Sequence, residues 1–204
     1  SYVAIDPEGD ESTAVTVMLT VEGINDAPVA VADNYNVDED SVLNINATNG
    51  LLANDTDQDG DTLGVTVIDN VENGILVINT DGSFDYTPDA DFNGRETFTY
   101  VAGDSALPSN QVTVTIDVNP VEDNPSAAND ALTTDEGVAV NIDVLANDVD
   151  VDNDTLQIVN VNNAANGQVQ LNNDGTINYT PDANFNGTDT FTYEITDGNG
   201  NFST

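Results

Sequence analysis

Four aspartates at every second position, Asp55, Asp57, Asp59 and Asp61, recur as Asp148, Asp150, Asp152 and Asp154. In a regular strand all four carboxylates would project from one face and repel one another. A loop that curls around a hard cation removes that cost, since calcium takes about six to eight oxygen ligands, several of them carboxylates. The competing reading is a solvated acidic turn. Random acidity, however, does not put the same spacing in the same place twice. The pattern is not an EF-hand: counted from Asp55, Gly60 holds the sixth position, but Thr66 stands at the twelfth, where a bidentate glutamate is required.

Other chemistries find few residues to work with. The chain has no Cys, His or Lys, so nucleophilic and thiolate catalysis by these side chains is excluded. A two-carboxylate glycosidase stays formally open, but the acids repeat in both copies and fall in turns and linkers, which suits ions better. Asp104 and Asp197 each follow a Tyr-containing strand, as does Asp6; turn formation and cation binding explain them equally well. The aromatic residues recur at fixed strand positions and there is no Trp, so they read as core and not as a sugar-stacking platform.

The charge balance narrows the partners. Of 204 residues 38 are acidic, 29 of them Asp, against the single basic residue Arg95, for a net charge of −37. Such a surface repels nucleic-acid phosphates and anionic headgroups, and it destabilises a compact state unless cations neutralise it. High acidity with few aromatics also suits disorder, but the regular apolar alternation argues for folded sequence. Without cysteines there is no disulfide staple, and metal ions are the natural substitute. No apolar run is long enough to span a membrane. No signal peptide is visible, so the segment is expected to come from the interior of a longer chain.

The elements that must position the aspartates come in copies. Residues 55–111 match 148–204 without a gap at an offset of 93, and upstream the offset becomes 97, pairing Pro28 with Pro125 and Glu39 with Glu136. The difference is a four-residue insertion around Asn46 to Leu51. Residues 1–23 match the tail of a repeat, with Tyr2 answering Tyr100, and Val15, Val17, Leu19 and Val21 answering Val112, Val114, Ile116 and Val118. The expected organisation is a C-terminal strand of a preceding repeat over 1–23, a complete repeat over 24–120, and a second repeat over 121–204 that lacks its last strand. Clean alternation in Val112–Val118 and Val15–Val21, with turn pairs at Asn73-Gly74, Asp81-Gly82 and Asn93-Gly94 and their copies, predicts strands throughout. About seven short strands in roughly 95 residues give an all-β fold: tandem immunoglobulin-like or cadherin-like Greek-key β-sandwiches in a rod.

Three motifs together carry a family resemblance: Asn25-Asp26-Ala27-Pro28, the acidic stretch Leu52–Leu63 with its copy Leu145–Leu156, and Tyr86-Thr87-Pro88-Asp89-Ala90 through Tyr100 with its copy 179–193. The chain resembles the cadherin-like tandem repeats of giant bacterial calcium-dependent surface adhesins. The resemblance implies calcium ions at domain junctions, a stalk or adhesion role outside the cell, and no catalytic site. It also implies a ligand set. For the junction after the complete repeat this is Glu39, Asp89 with Asp91, Asp123, and Asp150 with Asp152. For the preceding junction it is Asn25, Asp26, Asp55, Asp57 and Asp59. Asp61, Asp148 and Asp154 complete the two acidic runs, and Glu136 and Asp182 are the second-repeat counterparts of Glu39 and Asp89. The chain departs from the family pattern where Glu122 replaces the linker Asn and Asn184 the second acid of the pair.

The function expected from these features is a calcium-rigidified extracellular spacer or stalk on a bacterial cell surface, its partners neighbouring repeats or other copies of itself. The alternative is a carbohydrate- or cell-surface-binding module. In stacked domains the two ends lie roughly 70 Å apart. Residues 13–22 of one copy then either complete residues 121–204 of the next, or the chain is cut from a continuous fibre.

Overall fold

The computed structural model describes residues 1–204. The first repeat contains β1 (Asn34–Asp38), β2 (Leu43–Ile45), β3 (Gly64–Asp69), β4 (Gly74–Ile78), β5 (Phe84–Pro88), β6 (Gly94–Gly103) and β7 (Val112–Asn119). The second contains β8 (Val140–Ile142), β9 (Gln157–Val161), β10 (Gly167–Leu171), β11 (Ile177–Pro181), β12 (Tyr193–Thr196) and β13 (Phe202–Ser203). The one helical element is a 3-10 turn at Val144–Asn147, so the all-β expectation holds, as does the pairing of opposed sheets. In the first repeat the sheets run β1-β7-β6-β3 and β2-β5-β4; in the second they run β13-β12-β9 and β10-β11-β8.

Alternation decides which residues face inward. Val114, Ile116 and Val118 on β7, Phe98, Tyr100 and Ala102 on β6, and Phe84 and Tyr86 on β5 are all buried. Antiparallel pairing sets Leu43 opposite Tyr86 and Ile45 opposite Phe84. The Phe98 ring lies edge-on to Phe84 at 6.0 Å, and Tyr35 meets the same ring at 5.0 Å, the arrangement that the ring quadrupole favours. Each fully buried aromatic or aliphatic side chain contributes roughly 1.5–3 kcal/mol. In the second repeat Val169 pairs with Tyr179 and Ile177 with Ile142.

Two tyrosines, the buried Tyr100 and the half-buried Tyr193, tie the acidic loops to this core. The Tyr100 hydroxyl donates to the Leu51 carbonyl at 2.7 Å, with the carboxylates of Asp33 and Asp55 at 3.2 and 3.1 Å. Tyr193 repeats the arrangement with the carbonyls of Ala128 and Val144 and the carboxylates of Asp130 and Asp148. Tight turns need glycine where backbones meet. Gly82 has φ +83°, and a Cβ there would lie 2.9 Å from the Leu52 nitrogen. At Gly167 a Cβ would run into the Tyr179 ring.

The chain divides into two compact units. One comprises residues 1–35, 42–87 and 96–116; the other comprises 36–41, 88–95 and 117–204. Glu39, Asp40 and Asp91 therefore belong to the same unit as Asp123 and Asp152. Residues 1–23 hold only isolated bridges, Tyr2 with Val15 and Ile5 with Glu11, and Met18, Leu19 and Val21 beyond them are 85–92 % exposed.

Candidate metal centres

In the second unit, four chain segments converge. Carboxylate oxygens of Glu39, Asp123 and Asp152 lie within 4.8 Å of one another, and so do those of Asp40, Asp91 and Asp123. The loops are held by backbone donors: Asp123 N–H donates to Asp152 Oδ2 at 2.8 Å, and Val121 N–H donates to Glu39 Oε1 at 2.6 Å. Asn93 Nδ2 donates to the other oxygen of Glu39 at 3.2 Å. Glu39 is only 2 % exposed. Asp40 and Asp91 both sit in the left-handed region, at φ 59° and 58°, a conformation that Asp tolerates better than most residues. Desolvation raises the pKa of Asp123, and Asp40, Asp91, Asp152 and Glu39 push it further up. Like charges about 4 Å apart repel by roughly 4 kcal/mol at an effective dielectric constant near 20.

A second group adjoins the first. Asn199 Nδ2 donates to Glu122 Oε2 at 2.7 Å and to Asp154 Oδ2 at 2.6 Å, and Asn201 Nδ2 donates to the Asp123 carbonyl. Asp197, buried, accepts from Asn199 N–H at 2.7 Å. Burial acts most strongly on it and would raise its pKa, but the donated hydrogen bonds outweigh burial and hold the carboxyl below its usual range.

The first unit carries the counterpart. Asp26 N–H donates to Asp59 Oδ2 at 2.7 Å, and Asp57 Oδ1 accepts from the N–H groups of Asp59 and Asp61. Asn25 Nδ2 donates to Asp104 Oδ2 at 2.7 Å. Backbone donation from Leu107 lowers the pKa of Asp104, and the bonds from Asn25 and Ala106 add to this.

Four buried carboxylate oxygens have no hydrogen-bond partner: Oδ2 of Asp57, Asp123, Asp150 and Asp197. An anionic oxygen buried without a donor is costly, and no ammonium or guanidinium group compensates, since Arg95 is bonded to Asp117. Such a donor set, all oxygen and rich in charge, fits calcium.

The expected site residues separate into three classes. Asn25, Asp26, Asp57, Asp59 and Asp61 meet in one loop cluster, and Glu39, Asp91, Asp123, Asp150, Asp152 and Asp154 in the other. Asp55 and Asp148 are engaged elsewhere: Asp55 accepts from Val31 N–H and faces Tyr100, and Asp148 accepts from Ala128 N–H and faces Tyr193. Asp89 and Asp182 use their backbone carbonyls to close turns with Phe92 and Phe185, and with Glu136 they are exposed and outside both clusters. Sequence reasoning missed Asp40, whose only signal was its adjacency to Glu39. It noted Glu122 only as a departure from pattern, and it left Asp104 and Asp197 open between turn and ligand.

Residues 25–120 match the bacterial cadherin-like domain, and residues 122–204 match the bacterial Ig domain. Among curated proteins no sequence matches the chain. Human protocadherin-24 EC1-2 superposes with a TM-score of 0.52 at 19 % identity, covering 84 % of this chain and 87 % of that one. The human desmocollin-1 ectodomain gives 0.50 at 14 % identity over 89 % of this chain and 36 % of its own length. An endo-fucoidan hydrolase of glycoside hydrolase family 107 reaches only 0.40 at 19 % identity, over 98 % of this chain and 32 % of its own. The chain thus spans about a third of the length of the desmocollin and hydrolase chains. At these identities the cadherin likenesses speak for the fold. The bacterial cadherin-like family is thus matched by the first repeat and the bacterial Ig family by the second, with the acidic linker that follows β7 at the boundary of the two matches.

Proposed function

We propose that this chain is an extracellular, adhesin-type repeat segment of a bacterial surface protein, that calcium fixes its acidic loops, and that its role is mechanical and not catalytic. The observation that carries the reading is the convergence of Glu39, Asp40, Asp91, Asp123 and Asp152 around a buried carboxylate oxygen that has no donor. When bound, calcium supplies the positive charge that these oxygens lack. In the second unit Glu39, Asp40, Asp91, Asp123, Asp150 and Asp152 would hold it, with Glu122, Asp154 and Asp197 beside them. In the first unit Asn25, Asp26, Asp57, Asp59, Asp61 and Asp104 would do so. Asp123 ties the linker to the loop through its N–H, so fixing the carboxylates fixes the linker. Such a segment spaces one domain from the next.

Calcium titration followed by thermal melting and small-angle scattering tests this. Binding to the native state alone stabilises by about 3 kcal/mol per site at a hundredfold excess over the dissociation constant, a rise in Tm of several degrees. Chelator should lower Tm and increase the spread of dimensions. An unchanged Tm and radius of gyration on chelation would overturn the proposal.

A further inference from the structure

The two sheets of the first repeat end in four edge strands, β1 and β3 on one, β2 and β4 on the other. An open edge recruits further strands unless something blunts it. Three of the four are blunted. β1 ends in Asp38, β3 ends in Asp69 where its register with β6 also slips, and β2 is only three residues long. β4 has no such guard: Gly74-Ile75-Leu76-Val77-Ile78 runs for five residues without a charge or a proline. Its outward side chains are apolar, with Ile75 and Val77 67 and 55 % exposed. In the second repeat the equivalent strand, β10, sets Gln168 and Gln170 at those two places, both exposed. The fold therefore does not require apolar residues on this outer face, and only the first repeat carries them.

Whatever covers this edge must be a strand that tolerates the acids flanking it, Asp69 and Glu72 before β4 and Asp81 and Asp85 after it. A second β4 does so in one register. With the strands antiparallel about a two-fold axis at Leu76, Ile75 faces Val77 of the other copy, Glu72 faces Thr80, Asp81 faces Val71, and no acid opposes an acid. Moving the axis to Ile75 sets Asp69 against Asp81, and moving it to Val77 sets Asp69 against Asp85; like charges directly opposed destabilise a strand pair. An axis between residues would oppose outward side chains to inward ones. We propose that β4 pairs with β4 of a second copy of the chain in the register centred on Leu76. The contact is isologous, so it closes at two copies. A strand of this length spans about 17 Å, and a single such pair falls short of the roughly 1,200 Å² that a stable complex buries. Free chains therefore associate weakly and transiently, and the contact gains strength where copies stand side by side at high effective concentration.

Disulfide trapping reads such a transient contact, and the chain has no cysteine of its own to compete. Directly opposed side chains on paired strands come close enough for a disulfide, whereas diagonal neighbours do not. An equal mixture of Ile75→Cys and Val77→Cys chains, held in calcium under mild oxidation, should therefore form cross-linked dimers about tenfold faster than either variant alone. A mixture of Gln168→Cys and Gln170→Cys, the equivalent exposed places on β10, gives the rate of chance collision. All four side chains point to solvent, so none of the substitutions threatens the fold. If either β4 variant alone cross-links as fast as the mixture, the register is overturned. If the β4 mixture is no faster than the β10 mixture, the contact itself is overturned.

Discussion

The two acidic loops share their aspartate spacing, and the linker residue that differs in charge between them is Asn25 in the first and Glu122 in the second. In the first, Asn25 donates to Asp104 and occupies the oxygen that its counterpart Asp197 leaves without a partner. In the second, Glu122 stands in place of Asn25, and Asn199 must reach across to bond Glu122 and Asp154 together. The bond from Asn199 favours the charged form of Glu122, yet desolvation and the charges of Asp154 and Asp152 outweigh it and push the pKa up. One amide thus gives the Asp104 carboxylate a donor from within the chain, whereas the carboxylate in its place leaves Asp197 Oδ2 with none. The first loop has a single orphaned oxygen, on Asp57, and the second has three, on Asp123, Asp150 and Asp197.

The largest effect expected from this difference is on single-carboxylate deletions. Asp57→Ala removes the only orphaned oxygen of its loop and should lower calcium affinity there about 100-fold, while Asp150→Ala, with two others remaining, should cost about tenfold. Titration calorimetry on each variant reads the difference, and equal losses would break the comparison. Circular dichroism should show unchanged β-structure in calcium; collapse of either variant would make these loops part of the fold itself.

An exchange of linker residues is a gentler probe. Glu122→Asn should raise the melting temperature of the second unit in chelator and weaken its calcium binding about threefold, a change of the size that one partly screened charge produces. Asn25→Glu should do the reverse in the first unit. If both exchanges move calcium-free stability in the same direction, charge repulsion is not what separates the loops.

The smallest expected effect lies behind the first loop. Burial raises the Asp33 pKa to about 6, the neighbouring Asp55 adds to this, and the bonds from Tyr100 and Asn54 oppose it. The folded state therefore keeps a proton that the unfolded chain releases near pH 4. Its contribution is fully present below pH 4 and is lost as pH rises through about 6. Asp33→Asn should flatten that slope and stabilise the first unit at pH 7 by about 1–2 kcal/mol, read from chelated melts between pH 4 and pH 7. An unaltered slope would remove Asp33 as its source.

Much of this was legible in the sequence because duplication labels position. The repeat offset placed β4, β5, β10 and β11 in register, and Asn73-Gly74 and Asn166-Gly167 do stand at the strand turns. The acidic runs read true as loops, but a spacing of two cannot separate Asp57, whose oxygen lacks a donor, from Asp55, which accepts from Val31 and faces Tyr100. That distinction depends on residues some 25 and 45 positions away, brought close only by sheet pairing. Asp40 was invisible for a related reason. Its counterpart Gly137 shares the left-handed backbone, at φ 69°, but has no carboxylate, so repetition carried no signal there.

The four-residue insertion, at 47–50, ends just before Leu51, whose counterpart is Val144; both are buried, and both present a carbonyl to the hydroxyl of the β6 or β12 tyrosine. Everything downstream, from Asp55 and Asp148 onward, is collinear between the copies. At the level of the gene, unequal crossing-over within that collinear stretch joins one copy to the other in frame and leaves each tyrosine facing a carbonyl in the equivalent place. Arrays of this unit can therefore lengthen or shorten by recombination without a misfit at the core, whereas exchange upstream of the insertion must carry the whole of it or none.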